Sequence, residues 1–156
     1  MICASEQAVI VDKEISKDFE SYMKENNCYF LNKKETELLS AYAINSEKGS
    51  VNSAIVGQSA NWIAKQAGIK VPEKTKILIA KLDDVGPNYP LSREKLSPIL
   101  AYYVVEDHKE GFQKAKGRYA AQWKKSLWRQ TFHVGIRGWH MDGRQSGEQH
   151  LSEHGR

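Results

Sequence analysis

Residues 7–12 run Gln-Ala-Val-Ile-Val-Asp, a short β-branched stretch with polar ends, and predict a buried strand. The period then changes. Ile15, Phe19, Tyr22 and Met23 recur at helical spacing over 14–25 and predict one apolar stripe facing a core. Asn26-Asn27 ends that helix, and Cys28-Tyr29-Phe30-Leu31 fits a strand. Asn32 followed by Glu35 has the spacing of a capping box, which predicts a helix over 33–44 with Leu38, Leu39, Tyr42 and Ala43 inward. Residues 49–52 read as a turn. Ser59 is a good N-cap for a helix over 60–67, with Trp62, Ile63 and Ala67 inward and Gly68 just past its end.

Pro72 breaks the chain, and two further strands are predicted over 75–82 and 98–105, the second being the strongest apolar run of all. A polar loop with Pro87 and Pro90 separates them. A helix begins near Asp107, with Phe112 and Ala115 inward. Near-continuous apolar strands alternating with helices predict an α/β fold, a largely parallel sheet covered by helices.

Composition refines this picture. At 156 residues, 40% hydrophobic and 27% charged, the chain is long enough for a core and too apolar for a disordered polymer. No apolar run is long enough for a membrane span, and no secretory leader is visible. Two cysteines, Cys3 and Cys28, are too few for a disulfide framework, so free thiols in a reducing cytoplasm are expected. The net charge of +4 is unevenly spread. Residues 1–116 hold 16 basic and 16 acidic side chains; residues 117–156 hold 7 and 3, with four of the five histidines and three of the four tryptophans. A break in organisation is therefore expected near Lys116.

The residues themselves offer several sites. Cys3 precedes the first strand, where a thiol serves either as a nucleophile or as a structural terminus. His108 is the one histidine before position 117, so no Cys-His-Asp arrangement can be assembled there. Arg93-Glu94-Lys95-Leu96-Ser97-Pro98 leads into the strongest strand, either as a ligand-binding loop or as a solvated charged turn. Cys28, followed by an apolar run, reads as core. His150 and His154 have helical i, i+4 spacing but lack a third ligand, so no metal is assigned. Trp123-Lys124-Lys125 mixes basic and aromatic character, which keeps open a second reading: a small binding module contacting nucleic acid or an acidic partner. No Gly-rich phosphate loop is present.

Two segments go further. Ile2-Cys3-Ala4-Ser5-Glu6-Gln7 with the strand after it resembles the catalytic-cysteine segment of the CoA-acylating aldehyde dehydrogenases, as found in bifunctional aldehyde–alcohol dehydrogenases and the ethanolamine-utilisation type. Glu94-Lys95-Leu96-Ser97-Pro98-Ile99-Leu100 resembles their Glu-Lys-Leu-Ser/Cys-Pro-x-Leu motif. Tyr29-Phe30-Leu31, Ile55 to Ala60, Ala67-Gly68-Ile69 and Val71 to Thr75 fit the same family in the same order.

The resemblance implies a partial aldehyde dehydrogenase catalytic domain over 1–116 and an irregular or helical C-terminal tail over 117–156. It implies NAD-dependent oxidation of a small aldehyde, such as acetaldehyde, to an acyl-CoA through a thioester on Cys3. Glu94 is the residue expected to hold the nicotinamide ribose, and Leu96 to lie near the nicotinamide ring. NAD and coenzyme A are the cofactors the resemblance implies for intact members, for which it leaves an oligomer open; no membrane or nucleic acid is expected.

Family members carry an NAD-binding domain ahead of the cysteine. After Ala115-Lys116 they continue with an apolar helix and a Gly-x-Gly-His motif that Gly117 onward does not match. The expectation is therefore a fragment that binds neither cofactor tightly, is inactive alone, and ends in an out-of-frame continuation.

Overall fold

The computed structural model describes residues 6–45, 50–123, 133–136, 139–142 and 152–153. Strand β1 (Ala8–Asp12) is buried on both sides, as its β-branched run requires. Helix α1 (Ser16–Glu25) follows. Phe19 and Met23 turn toward the sheet, whereas Tyr22 is 63% exposed and leaves the predicted stripe. Asn27, at φ +65°, reverses the chain into β2 (Cys28–Phe30).

Helix α2 (Lys33–Ala43) starts with the predicted box. Asn32 Oδ1 accepts the Glu35 backbone N–H at 2.9 Å, and Glu35 Oε2 accepts the Asn32 backbone N–H at 2.8 Å. Leu39 and Ala43 are fully buried, but Leu38 is exposed. A small antiparallel ladder, β3 (Ile44–Asn45) with β4 (Ser50–Val51), takes up part of the stretch read as a turn. In α3 (Ala60–Gln66), Ser59 Oγ accepts the Trp62 N–H at 3.2 Å, and Gly68 takes the left-handed conformation at φ +74° beyond its end.

Strands β5 (Ile77–Lys81) and β6 (Ile99–Val105) and helix α4 (His108–Trp123) complete the predicted order. The sheet runs β2-β5-β6-β1, all parallel. β7 (His133–Ile136) adds in parallel to the free side of β1, and β8 (Trp139–Asp142) and β9 (Ser152–Glu153) follow it antiparallel. The largest core cluster joins Leu78, Ala80 and Ile99 to Leu39 of α2 and to Ile63 and Ala64 of α3. The opposite face carries α1 over Val11, Ile79 and Tyr102. Helix α4 runs across position 117, and a Cβ on Gly117 would come within 2.6 Å of Val85 Cγ2. Helix and 83–86 loop therefore meet closely there.

Candidate active site

The loop between Pro90–Ser92, a single 3-10 turn, and β6 carries the Glu-Lys-Leu-Ser-Pro motif. It lies at the amino edge of the parallel sheet, opposite the carboxyl edge at which doubly wound sheets usually bind ligands. Glu94 and Leu96 are half-buried there. The residue between them is not. Lys95 is 0% exposed, so the reading of this loop as a wholly solvated turn fails at its centre.

The lysine is held by carbonyls. Its Nζ donates to Leu91 O at 2.8 Å, Arg93 O at 2.7 Å and Gln7 O at 3.3 Å. Its backbone N–H donates to Gln7 Oε1 at 2.9 Å. Gln7 is itself buried, and its carbonyl also accepts the Ala101 N–H at 3.1 Å, continuing the β1–β6 ladder. Three main-chain carbonyls thus receive the N–H groups of a fully buried lysine head, whose donors need acceptors out of water. Gln7 stands four residues after Cys3 in sequence. Cys3 lies outside the described residues, as do His150 and His154.

Leu96 has φ +47°, a left-handed conformation that a leucine adopts only at a cost. Its carbonyl accepts the Gly57 N–H at 3.2 Å, which ties it to the turn after Ile55. The turn itself is fixed by Asn52, whose side-chain oxygen accepts the Ala54 N–H and whose amide donates to Tyr42 O. Because glycine tolerates this φ and alanine does not, Leu96→Gly is expected to be more stable than Leu96→Ala by about 1 kcal/mol. This reverses the usual order of the two residues. Urea unfolding of both variants checks it; an alanine variant equal to or better than the glycine one would contradict the backbone assignment. Ser97 Oγ, beside it, is buried without a hydrogen-bond partner among the described residues.

Cys28 is buried at the start of β2, as expected of a core cysteine, and burial pushes its thiol above the ordinary value despite the opposing charge of Lys76. Among the described residues no group of three or more His, Cys, Asp or Glu side chains is arranged to hold a metal, and no helix is long and apolar enough to cross a membrane.

The aldehyde–alcohol dehydrogenase of Streptococcus pneumoniae is 48% identical over 123 residues, spanning 74% of this chain and 14% of that protein. The acetylating aldehyde dehydrogenase of Geobacillus thermoglucosidasius superposes with a TM-score of 0.76 at 35% identity, covering 87% of this chain and 29% of that one. The chain is related to the acylating aldehyde dehydrogenases. A propionaldehyde dehydrogenase of Rhodopseudomonas palustris, solved with bound propionyl-CoA, gives 26% identity and a TM-score of 0.63 over 72% of this chain and 25% of its own. No family model matches.

The chain thus spans about a seventh of the curated relative and under a third of the solved acetylating enzyme. The shared part is the parallel sheet with its covering helices, as the α/β reading expected. Gln7 and Lys95 are the site residues that residue-by-residue reading missed. Both stand inside the two motifs, but a lysine beside a glutamate and an arginine carries no local mark of burial.

Proposed function

We propose that this chain carries the nucleophile and the nicotinamide end of the cofactor site of an acylating aldehyde dehydrogenase. Cys3 is the nucleophile, Glu94 the ribose ligand and Leu96 the apolar contact beside the ring. The observation that carries the reading is the Gln7–Lys95 contact, which binds the motif loop to the segment following Cys3. The similarity to acetylating enzymes over three quarters of the chain supports it.

The residues fit one end of a nicotinamide cofactor. Glu94 offers a carboxylate that accepts from two vicinal hydroxyls, and Leu96 offers an apolar surface on the same loop. The sequence has no Gly-rich loop for a pyrophosphate. NAD, when bound, supplies a hydride acceptor. The Cys3 thiolate adds to the aldehyde carbonyl, giving a thiohemiacetal whose oxygen carries the negative charge. Loss of hydride from that carbon leaves an acyl thioester on Cys3. Coenzyme A, its thiol proton released to solvent, then takes the acyl group as the thiolate, the bond to Cys3 sulfur breaks, and acyl-CoA and the Cys3 thiolate result. A sulfur nucleophile suits both halves, because a thioester exchanges readily with a second thiol. The substrate class is a small aldehyde, and the compartment that suits free thiols is a reducing cytoplasm.

The test is a graft. Residues 2–116 replace the matching segment of the pneumococcal aldehyde–alcohol dehydrogenase, and NADH formation from acetaldehyde and coenzyme A is followed. An active chimera is expected, with Glu94→Gln raising the KM for NAD by roughly tenfold through loss of a charge-assisted contact. The isolated 156-residue chain is expected to show no turnover. A folded but inactive chimera would overturn the assignment.

A further inference from the structure

We propose that Lys95 is a positioning residue: its buried ammonium locks the Glu94–Leu96 loop onto the segment that follows Cys3. The inference rests on the reading of Cys3 and Glu94 above and adds the device that sets them in register.

Three observations carry it. First, the three Nζ contacts come from two places in the chain. Leu91 O and Arg93 O belong to the loop itself, and Gln7 O belongs to the segment leading into β1, 88 residues away. One atom therefore fixes the curl of the loop and its distance from β1 together. Second, the side chain is fully buried although a methionine would fill much the same space without bringing a charge out of water. What the ammonium adds over methionine is direction, since three N–H bonds hold three carbonyls at fixed angles. A planar guanidinium has a different shape and does not reproduce that set. Third, the next residue, Leu96, is held at φ +47°. A strained conformation persists only where its surroundings over-determine it. Lys95 holds one side of Leu96, and the Gly57 N–H to Leu96 O bond holds the other. Without the ammonium, the loop is free to relax toward ordinary backbone angles and to carry Glu94 and Leu96 away from β1.

Disulfide trapping in the full 156-residue chain tests this. Leu96→Cys supplies a thiol on the loop, and oxidised glutathione takes up the two electrons as Cys3 and the new cysteine join. Peptide mapping separates this bond from any bond involving Cys28. The Leu96→Cys parent is expected to close the bond readily. Adding Lys95→Met is expected to slow closure by about tenfold or more, the factor that one charge-assisted hydrogen bond represents. Gln7→Leu removes the bond to the Lys95 backbone N–H but keeps the Gln7 carbonyl that Nζ binds, so it is expected to slow closure less than Lys95→Met does.

Amide exchange at Ile79 and Tyr103, which lie in the sheet away from the Gln7 carbonyl, is expected to stay at the parent level in the folded variants, which separates loop positioning from general loss of structure. Closure at the parent rate with Lys95→Met overturns the positioning role and leaves the site reading intact. Failure of the parent itself to form the bond overturns the site reading, and the positioning role with it. If Lys95→Met does not fold, Lys95→Arg decides, since a guanidinium keeps the charge but not the set of three contacts: slow closure in the folded variant supports the proposal, and closure at the parent rate overturns it.

Discussion

Replacing Cys3 with alanine in the chimeric enzyme is expected to lower kcat/KM for acetaldehyde by about a thousandfold or more. Alanine removes the group that forms the covalent bond, and a hydroxyl lacks a thiol's lower intrinsic pKa and ready thioester exchange. Cys3→Ser is expected to rescue little, because a hydroxyl is almost wholly protonated at neutral pH and an oxyester passes its acyl group to a thiol poorly. The control is Cys28→Ala. That thiol is buried in the core at the start of β2, and burial raises its pKa, so it is kept protonated and away from solvent. Its loss is expected to leave kcat/KM within about a factor of three while lowering stability slightly. NADH formation under saturating NAD and coenzyme A, with circular dichroism to verify folding, reads both variants. Full activity in Cys3→Ala, or an equal loss in Cys28→Ala, would remove Cys3 from its role.

The local elements were legible because their causes are local. The Asn32–Glu35 box and the Ser59 cap each lie within four residues, and each formed as its spacing predicts. The β6 run is near-continuously apolar, which suits a strand covered on both faces, and it is covered along its length except at Val104. Exposure was less legible. Tyr22 and Leu38 fit their helical stripes by spacing, yet both face outward, because spacing defines a stripe without saying which of its edges the packed neighbours cover.

The site divides the same way. Its motifs were readable as a resemblance, and Glu94 and Leu96 stand together on one loop at the sheet edge. The sheet order β2-β5-β6-β1 and the burial of Lys95 were not readable. Both depend on pairing between segments about ninety residues apart, such as Ala8 with Ala101 and Gln7 with Lys95. A charged residue in a charged hexapeptide gives no sign that three carbonyls are waiting for it.

Tyr102 is expected to be the most costly aromatic side chain to remove. It lies on β6, 1% exposed, with the Phe19 ring stacked at 5.7 Å and 7° and the Phe30 ring edge-on at 5.6 Å and 89°. Lys81 Nζ stands 5.9 Å from its centroid and forms an ion pair with Glu20 at 2.7 Å. Tyr102→Ala is expected to cost about 3–5 kcal/mol, since it opens a cavity where α1, β2 and β6 meet and ends both ring contacts. Tyr102→Phe keeps the rings and gives up the hydroxyl's contacts with Glu20 and, at 3.5 Å, with Ser16 O, for an expected cost of about 1 kcal/mol.

The phenylalanine variant also separates packing from ionisation. Burial first, and Glu20 second, push the Tyr102 phenol well above its ordinary value of 10.0. Above pH 10 the unfolded chain therefore releases this proton while the folded chain retains it. Folded protein then binds more protons than unfolded, so stability falls as pH rises, by about 1.4 kcal/mol per unit for this group. Below pH 10 the contribution is intact. Urea unfolding of wild type and Tyr102→Phe at pH 8, 9, 10 and 11 is expected to show a constant difference up to pH 9. Beyond pH 10 the wild type loses stability faster, and the variant overtakes it. A difference that does not change with pH would mean that the phenol reaches water in the folded state and that α1 does not close over β6.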